Sequence, residues 1–226
     1  MKSAAEKKAT PKISTKIWRP VLERLEQKMA ASCLRRDAYL NKVLEVELDH
    51  LDTEIGTANS VAAHAFITKK LDQLPDRKLV SLTLRPELVE RLNNICERKR
   101  IVRDAFFNRL FLLLAASPKT VNRLLHFDDD WRTALLREYR NETFFTNTFD
   151  PIEADINPFW AIRDWIETIS GKSSPHDEGI YSLLLDSNHF KGVDLTGLNC
   201  YIPDQMILDH PAELESRNQL DDLLAF

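Results

Sequence analysis

Two carboxylate-rich clusters, Asp128–Asp130 and His176–Asp177–Glu178, are the residues best suited to metal chemistry in this chain, because hard cations take oxygen ligands and zinc adds imidazole. Neither cluster has the context that such a site needs. The first precedes WRTALLREYR, where acidic residues suit the positive end of a helix, and the second reads as a polar loop. The six histidines form no HExxH pattern, and the three cysteines (Cys33, Cys96, Cys200) have neither nucleophile context nor metal-like spacing. No glycine-rich phosphate loop is present, with only five glycines in the chain. The expectation is a protein with no catalytic residue, no metal and no cofactor, and not an enzyme. The cations point to different chemistry. Residues 1–120 carry a net charge of +8 and residues 121–226 carry −12, which together give the overall −4. A basic half joined to an acidic half is the pattern of a polyanion-binding module attached to something else.

The elements that hold those cations repeat. Residues 13–48, ISTKIWRPVLERLEQKMAASCLRRDAYLNKVLEVEL, align without a gap to residues 80–115, VSLTLRPELVERLNNICERKRIVRDAFFNRLFLLLA, at a spacing of 67. Eight of the 36 positions are identical: Ser14/Ser81, Glu23/Glu90, Arg24/Arg91, Leu25/Leu92, Arg36/Arg103, Asp37/Asp104, Ala38/Ala105 and Asn41/Asn108. Composition alone gives about two, so the repeat is real.

Each copy has three parts. A six-residue alternating segment places Ile13, Thr15 and Ile17 on one face and Lys12, Ser14 and Lys16 on the other. In the second copy Val80, Leu82 and Leu84 face one way and Leu79, Ser81 and Thr83 the other. Period two predicts a half-buried strand. Pro20 and Pro86 then fall where a helix tolerates proline, at its start. An amphipathic helix follows, burying Val21, Leu22, Leu25 and Met29, or Leu88, Val89, Leu92 and Cys96. A second helix begins near Arg36 or Arg103 and buries Ala38, Tyr39, Val43 and Leu44, or Ala105, Phe106, Leu110 and Phe111. One such unit cannot close a core. Two can, by pairing their strands antiparallel and interlocking four helices.

This pattern resembles the ribbon-helix-helix superfamily, the fold of the Arc and methionine repressors, over residues 12–48 and 79–115. The second copy is the better match, with KLVSLTLRPELVERL followed by RIVRDAFFNRLFLLL. Both halves on one chain are similar to the tandem relaxosome protein of conjugative plasmids. The resemblance implies a single-chain pseudo-dimer whose two-stranded ribbon enters the major groove of double-stranded DNA. The base-reading residues would be Lys12, Ser14 and Lys16 from one strand and Leu79, Ser81 and Thr83 from the other. Lysine donates to guanine, hydroxyls serve either role, and Leu79 meets a thymine methyl. The start of each second helix would meet a phosphate, with Arg36 and Arg103 there and Arg35, Lys99 and Arg100 beside them. Relatives often place glycine between the helices for a φ > 0 turn. Here Cys33 and Arg100 stand at that place.

The expected fold is therefore mainly α with a two-stranded antiparallel ribbon and a mostly helical C-terminal region. Residues 1–11 are a flexible basic tail, 12–48 the first copy, 49–78 a linker, 79–118 the second copy, and 119–226 an acidic domain of unknown role. The linker holds a helix, SVAAHAFITKKLDQL, with Asn59 or Ser60 as cap and Pro75 as stop. FFNRLFLLLAA is apolar almost all round, so it needs cover on more than one side, from the linker helix or the C-terminal region. PFWAIRDWIETIS and ELESRNQLDDLLAF read as helices, HDEGIYSLLLD and GLNCYIPDQMIL as short strands. No run is apolar enough to span a bilayer, no secretory leader is evident, and the cysteines fit a reduced cytoplasm. The function expected is a bacterial-style repressor. A plasmid transfer or partition factor is the alternative, as is an antitoxin or adaptor whose acidic region binds a protein partner or associates with itself.

Overall fold

The computed structural model describes residues 12–117, 120, 124, 159, 162–163, 166, 179–186 and 192–208. The basic tail, Asp128–Asp130, WRTALLREYR, His176–Asp177–Glu178, ELESRNQLDDLLAF and most of PFWAIRDWIETIS lie outside the described residues. What is described is mostly helical, with one two-stranded antiparallel sheet. Strand β1 (Lys12–Trp18) leads into α1 (Arg19–Ala31) and α2 (Arg36–Glu54). Then come α3 (Val61–Gln73), β2 (Arg77–Thr83), α4 (Pro86–Lys99) and α5 (Arg103–Ala115). A 3-10 turn (Thr196–Leu198) and the short α6 (Asp204–Leu208) complete it. No helix among the described residues is long and apolar enough to cross a membrane.

The boundaries follow local chemistry. Pro20 and Pro86 sit in the first turns of α1 and α4, where a missing N–H costs nothing. Both first helices end by turning left-handed without glycine, Cys33 at φ 54° and Arg100 at φ 50°, each at a cost of about 1 kcal/mol. Ser60 caps α3 by accepting from the Ala63 N–H at 2.9 Å. The alternation of β1 survives intact, with Ile13, Thr15 and Ile17 buried and Lys12, Ser14 and Lys16 exposed. Strand β2 starts two residues before Leu79 and ends at Thr83, while Leu84, just beyond it, is still fully buried.

One apolar core runs through all these elements. Helix α5 lies at its centre: every residue from Ala105 to Ala115 is buried, against α1, β1, α3 and the 3-10 turn. Phe106, Phe107 and Phe111 each contribute about 1.5–3 kcal/mol by that burial. In α2, Ala38 is exposed where burial was expected, while Tyr39, Val43 and Leu44 are buried. Ile95 adds to the buried face of α4, and Val89 is only half-buried.

Each first helix also caps the second helix of the other copy. From α1, the Lys28 ammonium donates to Ala116 O at 2.7 Å, and Arg24 Nε to Ala115 O at 3.0 Å. From α4, Lys99 donates to Asp52 O at 2.5 Å and to Ile55 O. Cations at helix C-termini meet orphan carbonyls and the negative end of the dipole. Arg85–Glu45, Arg91–Asp49 and Arg98–Asp52 line the outside of the α2/α4 contact.

The described C-terminal segments attach to this core by buried polar groups. Glu47 of α2 is 0% exposed and takes a bidentate pair from Arg163, at 2.9 and 2.8 Å, plus the Tyr181 hydroxyl at 2.7 Å. Arg163 Nε also reaches Glu54 Oε1 at 2.6 Å, and the Tyr181 N–H reaches Glu54 Oε2 at 2.8 Å. Burial first, and then the Glu47 carboxylate, push the Tyr181 phenol well above its ordinary value, so it stays a neutral donor. Arg109 of α5 is buried as well, donating to Leu183 O at 2.5 Å and Asn199 Oδ1 at 3.3 Å.

Of the segments expected as strands, the described part of the first is a turn and the residues after it, and the second runs from the 3-10 turn through irregular backbone into α6. Ser182 closes a turn on Gly179, accepting from its N–H at 2.7 Å. Asn199 satisfies both the N–H and the C=O of Leu185, at 2.8 and 2.7 Å. Buried Asn59 donates to Cys200 O at 2.8 Å and accepts from the Ile202 N–H at 3.1 Å. Side-chain amides thus replace the partner strand that an extended segment needs. Gly197 packs so closely that a Cβ there would stand 2.4 Å from the Leu71 backbone nitrogen.

Candidate nucleic-acid interface

The two strands pair with Ser14 opposite Ser81, Lys12 opposite Thr83 and Lys16 opposite Leu79. Ser14 and Ser81 occupy the same place in the two copies, so the ribbon is centred on them. The six residues expected to read bases therefore share one face, with one lysine toward each end. Lys12, Ser14, Lys16, Leu79 and Ser81 are exposed and Thr83 is half-buried. Leu79 is 66% exposed, unusual for a leucine in the middle of a strand. The face is a cationic and hydroxylic surface with one apolar point.

Beneath it, four hydrogen-bond pairs recur at the repeat spacing of 67, each running from a second helix to the other copy's strand or the residues after it. The Lys16 N–H donates to Asp104 Oδ2 at 3.1 Å, and the Thr83 N–H to Asp37 Oδ2 at 3.0 Å. Asn108 donates to Lys16 O at 2.8 Å, and Asn41 to Thr83 O at 3.0 Å. The same asparagines accept from the Trp18 and Arg85 N–H groups, both at 2.8 Å. Arg103 donates to Ser14 O at 3.2 Å, and Arg36 to Ser81 O at 2.9 Å. Arg36/Arg103, Asp37/Asp104 and Asn41/Asn108 are thus identical between copies because each set grips a strand edge that would otherwise carry unpaired backbone groups.

The residues expected at phosphates divide. Arg35 is exposed just before α2. Arg36 is held by Glu26 at 3.2 Å, by Asp37 at 3.0 Å and by Ser81 O. Arg103 makes only its bond to Ser14 O, and its Nε has no partner among the described residues. Arg100 is exposed, with Nη1 on Asn59 O at 3.2 Å. Lys99 is different: it is buried, its ammonium on the carbonyls that end α2. A basic residue at a helix end gives no sequence signal to separate these two roles.

In comparisons with known proteins, no family model, no curated protein and no solved structure matches this chain.

Proposed function

We propose that the chain is a single-chain, pseudo-dimeric ribbon-helix-helix protein that binds double-stranded DNA sequence-specifically, with its ribbon in the major groove, and represses transcription by occupying an operator. The observation that carries this reading is the outward ribbon face. Lys12, Ser14, Lys16, Leu79 and Ser81 are exposed together on a two-stranded ribbon, the width a major groove admits. The paired bonds at the repeat spacing support the pseudo-dimer, since each copy completes the other's strand edge. Exposed Arg35, Arg100 and the partly free Arg103 are the cations placed for phosphates, which position the protein without reading sequence. Because the two halves of the face differ, the operator is two unequal half-sites. The Lys16/Leu79 end calls for a guanine beside a thymine.

The test is selection from a pool of random duplexes at two salt concentrations. An enriched, asymmetric motif whose affinity falls as salt rises is the expected result. Lys12→Ala and Leu79→Ala should then each relax preference at one position, by about 1–3 kcal/mol per lost contact. Absence of binding at low salt would overturn the reading, and a symmetric half-site pair would overturn its asymmetry.

A further inference from the structure

The repeat makes the two ends of the ribbon formally equivalent, yet their arginines are in different electrostatic states. Arg36 is neutralised twice, by Glu26 at 3.2 Å and by Asp37 at 3.0 Å. Arg103 has no ion pair among the described residues, only a carbonyl at 3.2 Å. Two differences between the copies produce this. At the position of Glu26 the second copy has Asn93, which carries no charge. At the position of Leu82 the first copy has Thr15, whose hydroxyl donates to Asp104 Oδ1 at 2.8 Å. That bond occupies the oxygen equivalent to the one Arg36 takes on Asp37.

The uncompensated arginine opens into a cleft of about 500 Å³ between α3, α4 and the start of α5, where it is joined by Lys16, Arg77, Asn93, His64 and Thr68. Helix α3 belongs to the linker, so the repeat supplies no counterpart at the Arg36 end. The carboxylates of the wall are Asp72, which Arg77 holds at 2.8 Å, Asp104, which holds the ribbon, and exposed Glu97. We infer that this cleft seats a backbone phosphate of the bound duplex at the Lys16/Leu79 end of the ribbon, with His64 of the linker helix among its donors, and that the Arg36 end has no matching seat. The inference rests on the DNA-binding reading and adds to it a one-sided grip by a segment outside the repeat.

The experiment measures affinity of the full-length protein for its selected duplex across a salt series. Arg103→Gln should lower the slope of log affinity against log salt by about one unit, the loss of one phosphate contact, while Arg36→Gln leaves the slope unchanged. His64→Ala, at an exposed position of α3 that lines the cleft, should weaken binding several-fold without changing the selected motif. Glu97→Gln should tighten it. In duplexes with a neutral methylphosphonate at successive backbone positions, the affinity loss in this region should fall on one side of the site. Equal slopes for the Arg103 and Arg36 variants, or full affinity in the His64 variant, would overturn the inference and leave the DNA reading standing. Failure of the wild-type protein to bind duplex at low salt would overturn both.

Discussion

Asn41 and Asn108 stand at the same place in the two copies, and each holds the other copy's chain at two points. Asn108 accepts from the Trp18 N–H and donates to Lys16 O, while Asn41 accepts from the Arg85 N–H and donates to Thr83 O. Each amide uses its second N–H on its own helix, at Asp104 O (2.7 Å) or Asp37 O (2.6 Å). A carbonyl and an NH₂ on one short side chain are the minimum that can serve a donor and an acceptor together. Asn108→Ala would orphan the Trp18 N–H and the Lys16 carbonyl at once. Each unsatisfied group costs about 1–3 kcal/mol, so urea denaturation should show a loss of about 2–6 kcal/mol. Asn108→Asp keeps the acceptor and places a charge against Lys16 O, and it should not rescue.

The elements were legible in the sequence because they follow from periodicity. Period two at Ile13, Thr15 and Ile17, and an amphipathic stripe at Val21, Leu22, Leu25 and Met29, need only the local chain and one buried side. The paired identities were visible too, but not what they do. An arginine at a helix start can donate to a phosphate or to a strand carbonyl, and nothing local separates Arg36 on Ser81 O from a phosphate-binding arginine. Glu47 was invisible for a related reason. A glutamate in an amphipathic helix reads as solvent-facing, and its partner Arg163 lies 116 positions away. The strand-like HDEGIYSLLLD and GLNCYIPDQMIL misled because alternation cannot reveal that Asn199 satisfies the first at Leu185 and Asn59 the second at Cys200 and Ile202.

The Glu47–Arg163 pair should behave as a buried ion pair does. Arg163→Met leaves a carboxylate with no exposure and only the Tyr181 hydroxyl for company, at a cost of about 3–5 kcal/mol. Glu47→Leu combined with Arg163→Met removes both charges and should recover most of that loss. Chemical denaturation of the two single variants and the double variant measures the coupling. Additive losses would show that the pair does not hold the C-terminal segment to α2.

His50 gives the molecule an acid-side sensitivity. Burial, and then the Arg163 guanidinium, lower its proton affinity below the ordinary value, against the opposing pull of Glu47, Glu54 and Asp49. A lowered folded value means the unfolded chain takes the proton first. The stability contribution is therefore complete above about pH 6.5 and is lost as the pH falls through that value toward the lower folded one. His50→Gln should flatten the dependence of unfolding free energy on pH between about 5 and 7. An unchanged slope would exclude this histidine as its source.

The three thiols should separate cleanly by reactivity. Burial pushes Cys96 and Cys200 each up to about 12, which leaves almost no thiolate at neutral pH, and both are buried. Cys33 is exposed in the left-handed turn that ends α1. Because the thiolate is the reacting species, a chromogenic disulfide reagent at neutral pH should titrate one thiol quickly in the native protein. All three should react in denaturant. Cys33→Gly should abolish the fast phase and, by relieving the left-handed strain, raise stability by up to about 1 kcal/mol. Fast reaction at two sites would mean that the cover over Cys96 or Cys200, formed where Asn59 bridges the end of α4 to the C-terminal segment, opens readily in solution.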